Sequence, residues 1–179
     1  MKPFHLVLIL YTIFPISSCD KIKPEEKAAE TAMLKKGWLH YQGPDLSFDY
    51  PKEWRLSVDT SMGEVFHISR PEETLATMVA YDISISYYES SQTFPDFVKA
   101  QARTMKELYS IQIIREEKIS FDSKEANKYL AEFPTDAGDS EPAEIYFIKG
   151  AEKYYVIFNA GSKQYRTQAN SIIQTMKLN

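Results

Sequence analysis

The chain has 179 residues, 44% of them hydrophobic and 13% aromatic, with a formal charge of −4 and one cysteine. That length suits one domain of roughly 100–200 residues behind a short leader, and one thiol excludes any disulfide within the chain. The acidic balance argues against nucleic acid, which rewards basic faces, and against a polybasic lipid-binding patch.

Lys2 and His5 make a thin positive start, and an apolar run extends from Leu6 to Ile16. The run is about eleven residues long, too short for a bilayer that needs about 20. It leads into Ile16-Ser17-Ser18-Cys19, which holds the chain's sole cysteine. This stretch resembles the lipobox of bacterial lipoprotein precursors, although Ile16 stands where Leu is favoured. The resemblance implies diacylglyceryl attachment to the Cys19 sulfur and cleavage just before it. Residues 1–18 then form a signal peptide, and 20 Lys+Arg against 25 Asp+Glu leave the mature chain near −5. Each buried CH₂ contributes about 0.8 kcal/mol, so two or three acyl chains hold a protein firmly where one does not. Asp20 resembles an inner-membrane retention signal of enteric bacteria, which slightly favours that leaflet. An ordinary secretory leader and an uncleaved anchor are the alternatives.

Residues 19–36 are expected to be a lipidated cysteine, a polar spacer and a weak helix over Glu25 to Lys36, stopped by Gly37. The globular domain is expected over 37–179. Trp38 to Gln42 reads as a strand, Gly43-Pro44-Asp45 as a turn, and Leu46 to Tyr50 as a half-buried strand closed by Pro51. Trp54 is expected to plug the core from the following loop. Glu64 to Arg70 reads as another strand, and Thr77 to Tyr88 as a long one with Val79, Tyr81, Ile83, Ile85 and Tyr87 on one face.

Thr93 can cap a helix that has Pro95 in its first turn. Its apolar face is expected to carry Phe97, Val98, Ala102, Met105, Leu108 and Tyr109. Ile111 to Ile119 and Ala126 to Phe133 read as strands joined around Asp122-Ser123, followed by a polar loop from Pro134 to Pro142. Glu144 to Lys149 and Tyr154 to Ala160 form a hairpin around Gly150. Both strands are apolar on both faces and so need cover on both sides. A final helix is expected from Ser162, with Tyr165, Ala169, Ile172, Ile173 and Met176 on one face. Short connections predict a mainly antiparallel, twisted sheet with helical layers.

Leu46-Ser47-Phe48-Asp49-Tyr50-Pro51-Lys52-Glu53-Trp54 resembles the Phe-x-Tyr-Pro-x-x-Trp opening of PsbP-like proteins. The later order of elements, ending at Ile172 to Met176, is similar as well. The resemblance spans roughly Trp38 to Leu178 and extends to DcrB-like bacterial lipoproteins. It implies an α+β fold, an α/β/α sandwich around a mainly antiparallel twisted sheet. Members known in detail tend to be accessory or binding proteins.

No Gly-x-Ser-x-Gly elbow or His-Glu-x-x-His pair is present. His40 and His67 each stand alone in strand-like segments. Asp136, Asp139 and Glu141 lack the register of a calcium loop and read as a solvated one, and Asp49 and Glu53, which flank Pro51 near Trp54 and could cluster, read as structural. No catalytic residue, metal or cofactor is therefore expected. The tyrosines exceed what a small core needs, and tyrosine suits interfaces through its apolar body and polar tip. Sheet-face packing is their default role; Tyr87, Tyr88, Tyr146 and Tyr155 are the candidate partner-binding aromatics. The expected function is a membrane-anchored, non-catalytic accessory domain that meets the bilayer through acylated Cys19 and binds an envelope protein. A small-ligand binder with a groove between sheet and helix is the alternative, and an unrecognised enzyme the least favoured.

Overall fold

The computed structural model describes residues 35–60, 65–70, 83–89, 91–134, 138–160 and 165–178. The expected leader, Cys19 and most of the expected Glu25–Lys36 helix lie outside them. Its last two residues, Lys35 and Lys36, lead into a turn whose Gly37 has φ +87°, a backbone region that favours glycine.

The described strands are β1 (Trp38–Gln42), β2 (Leu46–Pro51), β3 (Arg55–Asp59), β4 (Val65–Ser69) and β5 (Ile83–Tyr88). After helix α1 (Phe94–Tyr109) come β6 (Gln112–Phe121), β7 (Lys124–Pro134), β8 (Ser140–Lys149) and β9 (Tyr154–Asn159). Helix α2 (Arg166–Thr175) and β10 (Lys177–Leu178) close the chain. A seven-stranded sheet runs β3-β4-β5-β9-β8-β7-β6, and a three-stranded sheet runs β1-β2-β10. Every pairing in both is antiparallel.

Alternation along the central strands builds two cores, because successive side chains point to opposite faces. Tyr146 and Ile148 of β8, with Tyr155 and Ile157 of β9, join Leu46, Phe48, Trp54, Ala169, Ile172 and Ile173 on one face. Ile145, Phe147 and Val156 join Phe94, Phe97 and Val98 of α1 on the other. The two-sided cover expected for β8 and β9 is therefore met by α1 on one side and by α2 with the small sheet on the other.

Several boundaries differ from the sequence reading. Residues 77–82 of the expected long strand lie outside the described residues. Strand β3 was not expected: of Arg55–Asp59 only Leu56 and Val58 are apolar, and the strand lies at a sheet edge. The expected loop from Pro134 to Pro142 is strand at both ends, since Pro134 pairs with Ser140, Phe133 with Glu141 and Glu132 with Pro142; residues 135–137 lie outside the described residues. Helix α2 is described over Arg166–Thr175, with Tyr165 as a cap whose side chain makes no capping bond; the expected start at Ser162 lies outside the described residues. Asp122 and Ser123 form the β6–β7 turn with φ 47° and 62°, the left-handed pair that a tight hairpin requires.

Candidate functional site

Strand register brings Tyr87 directly opposite Tyr155 and Tyr88 opposite Tyr154. The Tyr87 and Tyr155 rings meet edge-on at 6.4 Å. The β8–β9 turn then delivers Lys153 to the same place. Gly150 N–H donates to the Lys153 carbonyl at 2.8 Å, and a Cβ at Gly150 would lie 2.6 Å from that oxygen, so only glycine fits. Lys153 Nζ stands 4.4 Å from the Tyr87 ring centroid and donates to Asp45 Oδ2 at 2.9 Å. Tyr155 OH donates to the Asp45 carbonyl at 3.4 Å.

The Asp45 bond and charge hold the Lys153 ammonium above its usual range. Burial pushes the Tyr155 phenol up, and the Asp45 charge adds to this against the opposing pull of Lys153. Beside this cluster lies a 440 Å³ hollow lined by Glu89, Ser91, Glu152 and Lys153. Tyr88, 37% exposed, leans on Phe97 at 5.5 Å.

Three of the four candidate aromatics thus share one end of the sheet: Tyr88 at the surface, Tyr87 half-buried and Tyr155 in the core at 2% exposure. Tyr146 stands elsewhere, 7% exposed, donating to Glu144 Oε2 at 2.7 Å beneath the Lys128–Glu144 ion pair. Burial, then Glu144, drives its phenol far above the usual value. Of the four, only Tyr88 is exposed; Tyr146 and Tyr155 pack beneath the surface.

A second concavity, 360 Å³, runs between α1 and strands β6 and β7. Phe94, Val98, Ala102 and Tyr129 form its apolar part, and Lys99, Lys118, Glu116 and Glu125 its charged rim. Thr93 fixes the helix start: its hydroxyl accepts from Asp96 N–H at 3.4 Å and donates to the Asp96 carboxylate at 2.6 Å. Asn127 Nδ2 donates to Glu116 Oε1 at 2.7 Å beside Tyr129. Burial, then Glu116, pushes the Tyr129 phenol up to about 12.

The two described histidines, His40 and His67, line neither concavity. His40 and Asp49 face each other across β1 and β2, Nδ1 to Oδ1 at 2.6 Å, and His40 Nε2 lies 3.3 Å from Gln42 Oε1. Asp49 is thus engaged by His40, while Glu53 stands exposed in the following turn. His67 is half-buried on β4; burial lowers its pKa and the Asp59 charge opposes the change. Asp139 and Glu141 do not share a loop, since Glu141 pairs with Phe133 in the β7–β8 ladder, and Asp136 lies outside the described residues. Among the described residues no group of three or more His, Cys, Asp or Glu side chains could hold a metal ion.

Sequence reasoning missed Asp45, Glu89, Glu152 and Lys153 at the hollow and the charged rim of the groove. The only sequence signal for Lys153 was its place in the turn after Gly150.

An antiparallel sheet with a helical layer on each face defines an α+β protein with the PsbP-like fold. The chain is similar to the solution structure of cyanobacterial PsbP (CyanoP) from Synechocystis sp. PCC 6803: TM-score 0.60, 11% identity, 93% of this chain and 100% of that one. A structure from Bacteroides thetaiotaomicron VPI-5482 gives TM-score 0.52 at 12% identity, over 78% of this chain and 48% of its own length. A Pseudomonas aeruginosa protein of unknown function, described as a putative regulator, gives 0.49 at 14% identity over 79% and 97% of the two chains. At these identities the likeness is one of fold. No protein-family model matches the chain, and no curated protein does.

Proposed function

We propose that this protein is a non-catalytic accessory domain of the bacterial cell envelope, tethered to a membrane by lipid on Cys19, that binds another envelope protein. The observation that carries the reading is the chain's single cysteine, placed directly after an apolar run and two serines. Small residues let a peptidase fit the extended backbone beside the cysteine, and acylation would use up the thiol. Asp20 favours the inner membrane, with the domain on its extracytoplasmic side.

The partner is assigned to the end of the sheet where Tyr88 borders the hollow of Glu89, Ser91, Glu152 and Lys153. An exposed aromatic ring beside a polar rim is the anatomy of a protein-binding patch. The fold supports this reading only as a scaffold, since function belongs to sites and not to folds.

The test is a photo-crosslinking amino acid at position 88, and separately at Ser57 on β3, in the native envelope. A discrete adduct at 88 that is missing at 57 is expected. Equal adduct patterns at both positions, or none at either, would remove the partner site. Cys19→Ser should release the chain from the membrane fraction, and its retention there would refute the lipid tether.

A second reading has its own observation. The groove beside α1 joins an apolar wall to charged groups, as small-molecule sites do. Extraction of the native protein followed by mass spectrometry should then recover a stoichiometric small molecule, lost in Ala102→Trp.

A further inference from the structure

At the far end of α1 from Tyr88, four apolar side chains stand in solvent: Leu108 at 71%, Tyr109 at 63%, Ile113 at 37% and Ile114 at 63%. The buried residues of α1 are Phe94, Phe97 and Val98, all near its start. Its last turn is ended by Ser110 in the left-handed region (φ 55°), whose N–H donates to the Met105 carbonyl. The chain then enters β6, the edge strand, where Ile113 pairs with Ala131 and Arg115 with Leu130. Ile114 is the extra residue of that bulge. Helix end and bulge therefore push four apolar groups outward within positions 108–114.

With whole side chains of about 200 Å², these exposures leave roughly 450 Å² of apolar surface, about half of the ~800 Å² each partner buries in a stable complex. A second copy of the chain would find too little here to hold it. A bilayer asks for less when the chain is already tethered, because a tether raises the local concentration to about the millimolar range. The sixteen positions from Cys19 to Lys35 span at most about 55 Å. A domain of this size is roughly 40 Å across, so the corner can reach the leaflet. Among its neighbouring charges Arg103 pairs with Glu107 and Arg115 with Glu117, so these four bring no net charge to repel anionic headgroups. Tyr109 has the apolar body and polar tip that suit a lipid–water boundary.

We propose that Leu108, Tyr109, Ile113 and Ile114 form a lipid-inserting tip that seats the domain on the leaflet holding Cys19. The proposal rests on the tether described above. Sixteen helical residues make α1 about 24 Å long, so a seated tip directs Tyr88 and its hollow away from the lipid.

The test uses the full chain, made in a bacterium and reconstituted in phosphatidylethanolamine–phosphatidylglycerol vesicles with nitroxide-labelled acyl chains. A polarity-sensitive thiol dye is placed on Leu108→Cys or on Ser57→Cys, an exposed site on the opposite edge strand. The unsubstituted chain should take no dye, because Cys19 is acylated. Dye at 108 should shift to the blue and be quenched by the lipid nitroxides, dye at 57 should do neither, and Ile114→Asp should abolish the quenching at 108. Equal water exposure at 108 and 57 in an acylated chain would overturn the tip. So would shielding at 108 from aqueous iodide, without lipid quenching, that grows with the protein-to-lipid ratio, since it marks a second copy. Dye uptake at Cys19 in the unsubstituted chain would instead overturn the tether.

Discussion

Asp122 gives the sharpest stability test, because one carboxylate joins the hairpin turn of the large sheet to the last strand of the small one. Its Oδ2 accepts from Leu178 N–H at 2.9 Å, its Oδ1 from Lys177 Nζ at 3.2 Å, and Lys124 Nζ stands at 3.8 Å. Lys124 also donates to the Leu178 carbonyl at 2.6 Å. Lys177 is 64% exposed, so its bond is largely screened and adds little. The Leu178 bond is sheltered, since that residue is 4% exposed and the Asp122 side chain 19%. A hydrogen bond to a charged group contributes about 1.5–3 kcal/mol. Asp122→Asn keeps the size, an accepting oxygen for Leu178 N–H and the left-handed backbone, and loses the charge, so it should cost about 1 kcal/mol. Asp122→Ala also leaves the Leu178 N–H unpaired and strains the turn, and should cost about 3–4 kcal/mol.

Urea unfolding of the purified chain reads both, and in thermal unfolding the Asn variant should lose roughly 2–4 °C in Tm. Burial alone would raise the Asp122 carboxyl, but Leu178 N–H, Lys177 and Lys124 outweigh it, so its pKa falls below the ordinary 3.8. The stability it contributes is therefore present above pH 3.8 and lost as pH falls through the folded value. The gap between wild type and Asp122→Asn should be open at neutral pH and narrow as pH falls below 3.8. An Asn variant within about 0.5 kcal/mol of wild type at neutral pH, or a gap unchanged in acid, would refute the clamp.

Three further outcomes follow from the burial pattern. Ile172 is fully buried between α2 and the sheet, so Ile172→Ala should cost about 3–4 kcal/mol in urea unfolding, whereas Leu108→Ala, at 71% exposure, should stay within about 0.5 kcal/mol. Burial lowers the His67 pKa, so its contribution to stability is present above the unfolded value of 6.5 and is lost as pH falls through the folded one. Replacing it with Gln should flatten the stability profile just below 6.5, and an unchanged slope would show that another group sets it. The Tyr129 phenol, held up to about 12, contributes stability that is full below pH 10 and fades as pH climbs through its folded value. Alkaline absorbance titration should show a late-ionising tyrosine that disappears in Tyr129→Phe.

The sequence was informative where local chemistry and burial agree. Thr93 and Pro95 announce the start of α1, Asp122-Ser123 the β6–β7 turn, and the apolar pairs at 145–148 and 154–158 the need for cover on both faces. It was silent on β3, whose alternation rests on Leu56 and Val58 alone, on the two-residue β10, and on the separation of β1, β2 and β10 into their own sheet. The site was harder to read. Tyr87, Tyr155, Lys153 and Asp45 are far apart or unremarkable in the chain, and only strand register and the Gly150 turn bring them together. A surplus of tyrosine was visible; which rings stay outside was not, because alternation assigns a face and cannot say what covers it.

The apolar stripe of α1 shows that difference most clearly. Its period continues from Phe97 through Leu108 and Tyr109, yet burial among these apolar positions fades beyond Val98. Met105 is the last α1 side chain packed on the core; beyond it the helix end is held locally, by Ser110 N–H and Ile111 N–H both bonding the Met105 carbonyl and by the Arg103–Glu107 pair one turn apart. A helix secured in this way keeps Leu108 and Tyr109 at fixed positions on the surface. Exposed apolar groups on a fraying end would scatter, whereas on a capped helix beside a bulged edge strand they form a surface with a shape. Cover for that surface has to come from beyond the described residues, and the lipid anchor proposed at Cys19 would make a leaflet its nearest source.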